Sequence, residues 1–430
     1  MDDVSIGDVK GAFSPAKEIR NPEMFAGRRK EMEDGVMALL NEGGFIVVHG
    51  LRGVGKTSIA RQIKNIAEGD DTLPKMMGIK RIMPEGGFRY KVQYISCDVF
   101  VRDTVDLIER ILFPDEENES LFSLTKTGNR KVEEIKEIFE GKGNLNLPGV
   151  GGLSGGKTTE KISSEETSDN LIQNFREVLN LLKKDLHSKY DGVLILIDEF
   201  DTIKDKSGFS SIVKTCSSDF VKFGVVGIAN NIGELIGDHQ SIGRQIDEIK
   251  VPTMPKYQLM KILGKAEYVV ENQISFTNEA KEEIAKMSEG FPYFTHLMGE
   301  EAMVSAFKNK QKQIDVDSVS AVSEKISEGK LKTNYEGLYH DSVKQSAQRE
   351  MLLKMFAEED RNEIHTKEVY EQAKEMGISN PSQLMKELTM GEKGSGVLKK
   401  VRPRYYRFTD PVFKVYSRKR DWKFDNSGAS

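Results

Sequence analysis

The sequence predicts an α/β protein: an open parallel sheet with helices on both faces, then a small helical domain, then three helices and a β-hairpin. Three observations predict it. Short apolar runs bounded by glycine or charge recur through about the first 250 residues, separated by helical patterns. From Pro255 to about Glu328 the pattern is helical throughout, with no strand-like run. Beyond Ser342, helical periodicity gives way to a Gly-rich turn and a two-stranded stretch.

The first strand is Gly44-Phe-Ile-Val-Val-His49, an apolar run of the kind buried on both faces of a parallel sheet. Further strands are expected over Lys91–Cys97, Gly192–Ile197, Val221–Ala229 and Glu248–Val251, with a helix over Asp169–His187 among the connections. Between Asp103 and Glu165 the rhythm breaks down. A helix around Arg130–Glu140 leads into the glycine-rich run Gly141–Gly156, which reads as a mobile insert. The C-terminal helices are expected over Val343–Ala357, Thr366–Met376 and Pro381–Thr389, the last capped by Ser379 or Asn380, before strands Val397–Val401 and Tyr405–Thr409. Three helices followed by a hairpin is the order of a winged helix. The expected domains are therefore 1–252 (with the insert at about 103–165), 253–335 and 342–420, followed by a disordered tail, 421–430.

A chain of 430 residues suggests roughly two to four domains. With 38% hydrophobic and 30% charged residues the composition is that of an ordinary globular protein. No apolar run approaches the roughly 20 residues needed to span a bilayer, and Met1–Lys10 does not have a signal-peptide pattern, so a cytoplasmic protein without membrane association is expected. Cys97 and Cys216 are too few for a disulfide framework or a cysteine-rich zinc site and read as core thiols. The net charge of -5 excludes a globally basic polyanion binder. Locally, however, Lys393 to Lys423 carries eleven basic residues against two acidic ones.

The strongest chemical signal is Gly50-Leu-Arg-Gly-Val-Gly-Lys-Thr57, which fits G-x-x-x-x-G-K-[ST] between a strand and a helix. Glycines let successive backbone N–H groups close around phosphate oxygens, lysine reaches the β and γ phosphates, and the hydroxyl holds Mg²⁺. Gly50, Gly53, Val54, Gly55, Lys56, Thr57 and Ser58 are thus candidate ATP-binding residues, with Thr57 a magnesium ligand. A second match, Gly151–Thr158, has no strand feeding it and no apolar helix after it; it reads as part of the insert. Gly192-Val-Leu-Ile-Leu-Ile-Asp-Glu-Phe-Asp201 ends an apolar strand in carboxylates. Asp198 would hold the magnesium shell and Glu199 would orient or deprotonate the attacking water. Helix-capping acids would give the same letters.

The order of phosphate loop, insert, Leu194-Ile-Leu-Ile-Asp-Glu-Phe-Asp201 and Val225-Val-Gly-Ile-Ala-Asn230 resembles the AAA+ P-loop ATPases, with their Walker A and Walker B motifs. Gly-Ile-Ala-Asn most resembles the origin-recognition and Cdc initiator branch, including archaeal and bacterial Orc-like ATPases. The resemblance implies that Asn230, or less readily Asn231, is a sensor of the γ phosphate. It also implies that Phe25-Ala26-Gly27 lies by the adenine. Arg244, before the fifth strand, would reach a neighbouring subunit's ATP, unless it is a surface arginine. Where initiators often carry a sensor arginine, this chain reads Ser288-Glu-Gly-Phe-Pro-Tyr-Phe-Thr-His296, whose Gly-Phe-Pro resembles the Gly-x-Pro of signal-transducing (STAND) ATPases. Proline at a helix start explains the same residues, and His296 either contacts phosphate or packs.

At the basic end, Gln383 and Lys386 on the third helix and Lys399, Lys400, Arg402 and Arg404 on the wing are candidate DNA contacts with weak sequence preference. Two functions are carried forward. One is a slow, assembly-stimulated ATPase that oligomerises and binds DNA in an ATP-dependent manner. The other is an ATP/ADP switch whose C-terminal unit packs on the core and whose partner is a protein.

Overall fold

The computed structural model describes residues 4–112, 121, 164–237, 242–389 and 394–423. The helix expected around Arg130–Glu140, the glycine run, the second loop match at Gly151–Thr158, Lys393 and residues 424–430 lie outside the described residues. The chain divides into two compact units, Glu18–Leu51 with Lys56–Pro252, and Met1–Lys17 with Arg52–Gly55 and Thr253–Ser430.

In the first of these, strands β1 (Phe45–Gly50), β2 (Tyr90–Ser96), β3 (Gly192–Asp198), β4 (Val221–Ile228) and β5 (Ile246–Val251) form one sheet in the order β2-β3-β4-β1-β5. Every pairing in it is parallel. All of β1 and β3 is buried, as continuous apolar runs require when helices cover both faces. Gly50 is fixed by sterics, because a Cβ there would lie 2.4 Å from the Val251 carbonyl oxygen on β5. Helix Lys56–Ala67 buries Ile59, Ala60, Ile63, Ile66 and Ala67, an i, i+3, i+4 stripe that faces the sheet.

The start of the insert needs correction. Thr104–Leu112 is a helix whose Leu107, Ile108, Ile111 and Leu112 are buried in one cluster with Ile95 of β2 and Val193 and Ile195 of β3. That apolar stripe outweighs the charged residues around it. The helix expected from Asp169 begins at Ser164. Cys97 and Cys216 are free and buried, as core thiols should be.

The second unit also departs from expectation. Residues up to Lys17, assigned above to the sheet domain, pack here instead: Val9, Ala12 and Phe13 join the cluster of Leu263, Leu297 and Met298. Helices Lys256–Val269, Asn278–Met287, Pro292–Lys308 and Val316–Ile326 are joined by two short strands, β6 (Ser275–Phe276) and β7 (Gln313–Ile314), where an unbroken helical pattern was expected. Phe276 and Ile314 are both buried, and their backbones find partners inside the core: the Phe276 N–H donates to Glu267 Oε1 at 2.7 Å and the Ile314 carbonyl accepts from the Thr277 N–H at 2.9 Å. A five-residue π-helical stretch, Ser327–Leu331, runs into helix Lys332–Val343. Val343 therefore ends one helix rather than starting the next. Lys344 turns the chain at φ +48°, and the Ser346 hydroxyl caps Ala347–Glu358 by accepting from the Arg349 N–H.

Helices Thr366–Glu375 and Pro381–Leu388 follow, the second capped by Asn380. The expected hairpin, β9 (Leu398–Arg402) and β10 (Tyr405–Phe408), gains a third strand, β8 (Ile364–His365). A further helix, Pro411–Lys419, was not expected. Its cap, Asp410, accepts from the N–H groups of Val412 and Phe413 and from the Tyr335 hydroxyl.

His296 lies in this unit at 6% exposure, its Nδ1 accepting from the Ser14 N–H at 3.3 Å and its ring edge-on to Phe13. It packs, and burial pushes its pKa down to about 4. Unfolded histidine titrates near 6.5, so between about pH 6.5 and pH 4 the unfolded chain binds the extra proton. Stability should therefore fall by about 1.4 kcal/mol per pH unit through that window as pH drops, and this contribution should level off below it. Urea unfolding of wild type and His296→Phe from pH 4 to 7.5 checks this: the variant should lack the difference in slope, and identical profiles would refute it.

Candidate functional site

Parallel pairing brings the carboxyl ends of β1, β4 and β3 to one edge of the sheet. Gly50 is level with Ile228 of β4, and the Ala229 N–H reaches the Gly50 carbonyl at 3.3 Å. Ile197 is level with Val225, so Asp198 leaves the sheet beside β4. The phosphate-loop match, the two carboxylates and Asn230 thus emerge on the same side. In the loop, Gly53 and Gly55 have φ of +77° and +94°, a left-handed backbone that side chains disfavour. Val54 is buried, and the helix after the loop opens with Lys56, Thr57 and Ser58. The Lys56 ammonium donates to the Leu51 carbonyl at 2.8 Å, which folds the lysine back over its own loop.

Asp198 is 3% exposed. Its Oδ2 accepts from the Tyr94 hydroxyl at 2.6 Å and its Oδ1 from the Glu199 N–H at 2.8 Å. Burial, reinforced by the neighbouring Asp198 carboxylate, pushes the Tyr94 pKa up, so the phenol remains a donor. The Arg61 guanidinium lies 3.6 Å from the Tyr94 ring centroid. Glu199 is exposed at φ +55°, with the Ser96 hydroxyl 3.5 Å from its Oε2. Asp201 is a staple: its Oδ1 accepts from the Ile228 N–H at 2.8 Å, tying the turn after β3 to the end of β4. Cys97, beside the same edge, has its thiol pushed up to about 12 by burial and then by Asp198.

Asn230 is half-buried, and its amide donates to Glu234 Oε2 at 2.6 Å, as does its backbone N–H at 2.9 Å. Asn231 instead caps helix Ile232–Ile236. The Ser58 hydroxyl accepts from the Ile19 N–H at 3.0 Å, and the Gln62 and Asn65 amides hold the Ile19 and Arg20 carbonyls. Positions 58, 62 and 65 form one helix face, so the segment ahead of Phe25 is docked along the helix that carries the phosphate loop. Phe25 and Ala26 are buried; Gly27 and Arg28 are left-handed, and buried Arg28 pairs with Glu31 at 2.8 Å.

Arg244 does not join this group. It is exposed in the turn before β5, and Ile246 is level with Phe45 at the start of β1. Five residue steps at about 3.3 Å put it roughly 17 Å along the strands from the edge where Gly50 ends.

Among the DNA candidates, Gln383 and Lys386 are exposed on helix Pro381–Leu388, and Lys400, Arg402 and Arg404 on the hairpin. Arg402 lies over the Tyr405 ring at 3.7 Å and pairs with Glu363 at 3.2 Å. Lys399 is half-buried. The rest of the basic end turns inward. Lys414 and Arg418 pair with Glu289 at 2.8 and 3.0 Å, Lys419 donates to the Ser323 hydroxyl, and Arg420 pairs with Glu336 at 2.7 Å.

Sequence reasoning missed Tyr94, Ser96 and Glu234, which hold Asp198, Glu199 and Asn230. No local signal marks them. Removing the Tyr94 hydroxyl leaves a buried carboxylate oxygen without its donor, so Tyr94→Phe should cost about 2 kcal/mol, the worth of a hydrogen bond to a charged group. Urea unfolding in the absence of nucleotide measures it, and a change near zero would mean the bond contributes nothing.

No protein-family model and no curated protein sequence matches the chain. Among solved structures, a Walker-type ATPase of Pyrococcus abyssi aligns over 94% of this chain and 99% of its own, with TM-score 0.49 and 15% identity. Cdc6p of Pyrobaculum aerophilum aligns over 95% and 97%, with TM-score 0.42 and 14% identity. The Aeropyrum pernix Orc1 protein, solved in complex with DNA, aligns over 92% and 93%, with TM-score 0.40 and 14% identity. The chain is thus similar to Walker-type and Orc/Cdc6 structures, and its own five-stranded parallel sheet has the arrangement of a P-loop AAA+ α/β domain.

Proposed function

We propose that the chain binds ATP with magnesium and hydrolyses it. The observation that carries this is the shared edge of β1, β4 and β3, where Gly50 at the head of the loop match, a buried aspartate and an exposed glutamate emerge together. Gly53, Val54 and Gly55 supply backbone donors and Lys56 exchanges the Leu51 carbonyl for phosphate. The residues fit magnesium: Thr57 offers a hydroxyl, and each Asp198 oxygen, holding one donor, keeps acceptor capacity for the ion's shell. Bound magnesium would neutralise charge on the phosphate oxygens. Glu199 orients the attacking water and accepts its proton, Ser96 positions Glu199, and Asn230 senses the γ phosphate after leaving Glu234. Phe25, Ala26 and Gly27 lie by the adenine. Arg244, on the far edge of the sheet, acts on the ATP of a second subunit, which makes hydrolysis slow in isolation and faster on assembly.

Glu199→Gln should lower phosphate release by about 100-fold or more, the usual worth of a general base, while ATP is retained longer. Single-turnover phosphate release and filter-retained nucleotide measure the two. Equal release in wild type and variant would remove Glu199 from the chemistry.

In this reading the C-terminal part of the second unit, from about 342 to 420, is a winged helix that contacts duplex DNA through Gln383 and Lys386 on its third helix and Lys399, Lys400, Arg402 and Arg404 on its wing, while 253–335 forms the lid. Exposure of most of these cations supports it. Changing the four wing cations to glutamine should weaken binding and flatten the log-log salt dependence by about 3 to 4 units, roughly one per lost phosphate contact. Fluorescence anisotropy at several salt concentrations, with and without ATP, tests this; an unchanged slope would sink it.

A specific observation favours the switch reading in its place. The Glu289 carboxylate, just before Gly290-Phe-Pro292, is gripped by Lys414 and Arg418 of the last helix, and the Gly290 carbonyl accepts from the Met254 N–H at 2.7 Å. ADP retained through purification, with no salt-dependent DNA binding, would decide for a protein-directed switch.

A further inference from the structure

Away from the phosphate loop, a cavity of about 420 Å³ opens between the turn after β3 and helix Ile232–Ile236. Lys204, Lys206, Ser210 and Ser211 line it on one side and Glu234 and Gly237 on the other. Its floor is the start of the eight-residue helix Phe209–Cys216. The residue at the cap position is Gly208, at φ +79°, and no side chain caps this terminus. The first-turn N–H groups of Ser210 and Ser211 have no carbonyl four residues back to bond, and they carry the positive end of the helix dipole.

The side chains repeat this imbalance. Ser210 is 8% exposed and lines the cavity, yet its hydroxyl bonds to nothing among the described residues. Neither Lys204 nor Lys206 forms an ion pair among the described residues, and burial holds the Lys206 pKa below its ordinary value. The lining also holds two carboxylates, Asp205 and Glu234, each with one oxygen engaged. Asp205 Oδ1 accepts from the Ser207 N–H at 2.9 Å, and Glu234 Oε2 accepts both Asn230 donors. Two ammonium groups without ion pairs among the described residues, an unpartnered hydroxyl and uncapped helix N–H groups, all on the wall opposite Glu234, describe a site for an oxyanion.

We propose that this cavity binds a phosphate group, separate from the nucleotide phosphates, through the N-terminus of helix Phe209–Cys216, the Ser210 hydroxyl and the ammonium groups of Lys204 and Lys206. Its far wall is Glu234, which holds Asn230. An anion seated here repels the Glu234 carboxylate and so bears on whether Asn230 stays on it or turns away. The phosphate is supplied either by a nucleic-acid backbone or by a small phosphorylated ligand.

Hydrogen exchange on the full chain, saturated with ADP so that the phosphate loop is filled, tests the site with inorganic phosphate as the probe. Phosphate should protect the peptide spanning residues 205–216. In Lys204→Gln/Lys206→Gln the concentration needed should rise by about tenfold or more, as expected for removing two charge-assisted contacts. Ser210→Ala, a milder change, should shift it in the same direction, and both variants should retain ADP, which shows that they are folded. Adding duplex DNA assigns the source: competition for the same protection marks a backbone phosphate, and its absence marks a small ligand. No protection of 205–216 by phosphate, or equal protection in wild type and the double variant, overturns the proposal. The outcome is independent of Glu199→Gln, so failure here leaves the hydrolytic reading untouched.

Discussion

The sheet unit depends on one constraint, the parallel pairing of β1 with β4 and of β4 with β3. Parallel strands end on the same edge, and this order seats the end of β4 between those of β1 and β3. A glycine loop, a carboxylate pair and an asparagine that are distant in sequence therefore share one edge without any long-range side-chain contact having to place them. Two close approaches keep the strands in register, one between β1 and β5 and one between β3 and β4. Gly50 must lack a side chain where β1 meets the Val251 carbonyl, and Gly224 likewise sits where a Cβ would strike Leu196 across the β3–β4 pair at 2.5 Å. Asp201 then pins the turn after β3 to β4, which fixes the Asp198–Glu199 corner relative to Asn230.

Charge in the second unit follows a different logic. The C-terminal run of lysine and arginine looks like a surface for polyanions, but its last part is structural. Lys414, with its side chain 3% exposed, and Glu289, at 9%, form a pair across 125 residues of sequence. Burial lowers the Lys414 pKa while Glu289 beside it opposes the shift. Removing one member of such a pair strands a charge and typically costs about 3–5 kcal/mol, whereas an exposed pair such as Arg402–Glu363 is worth about 1 kcal/mol or less. The two sets of cations therefore differ in kind: those on helix Pro411–Lys419 hold the fold, and those on the β9–β10 hairpin face solvent.

The phosphate loop and the Asp198–Glu199 corner were legible because each is a contiguous stretch whose chemistry is local: apolar strand, then glycines or carboxylates. The partners of those residues were not. Tyr94 meets Asp198 only because β2 lies beside β3, and nothing near Tyr94 in sequence announces that neighbour. Helix Thr104–Leu112 was hidden by the broken sequence rhythm after it, although its 107, 108, 111, 112 stripe is regular when read alone. Helix Pro411–Lys419 was hidden by its charge: three basic residues among nine masked Val412, Phe413, Val415 and Tyr416, which are buried. The amino-terminal helix Ile6–Gly11 carries a capping box, Ser5 with Asp8, but no local pattern could say which unit its Val9 and Phe13 would join.

The position of Arg244 follows from the same parallel geometry. A residue just before β5 must lie at the amino edge of the sheet, whereas Gly50 and Asp198 lie at the carboxyl edge. Strand length alone separates them by several times the reach of a hydrogen bond, and no rotamer of arginine, whose side chain spans roughly 7 Å, closes roughly 17 Å. Any role for Arg244 at a phosphoryl group must therefore be played on another molecule's site, since the sheet that assembles one site carries this guanidinium away from it. Asn230, by contrast, would need only to exchange the Glu234 carboxylate for a new partner to take the proposed role, a change of side-chain contact within one edge of one sheet. The two residues were nominated by the same family resemblance, yet the proposed roles make different demands: that of Arg244 would need a second subunit, and that of Asn230 would need Glu234 to let go.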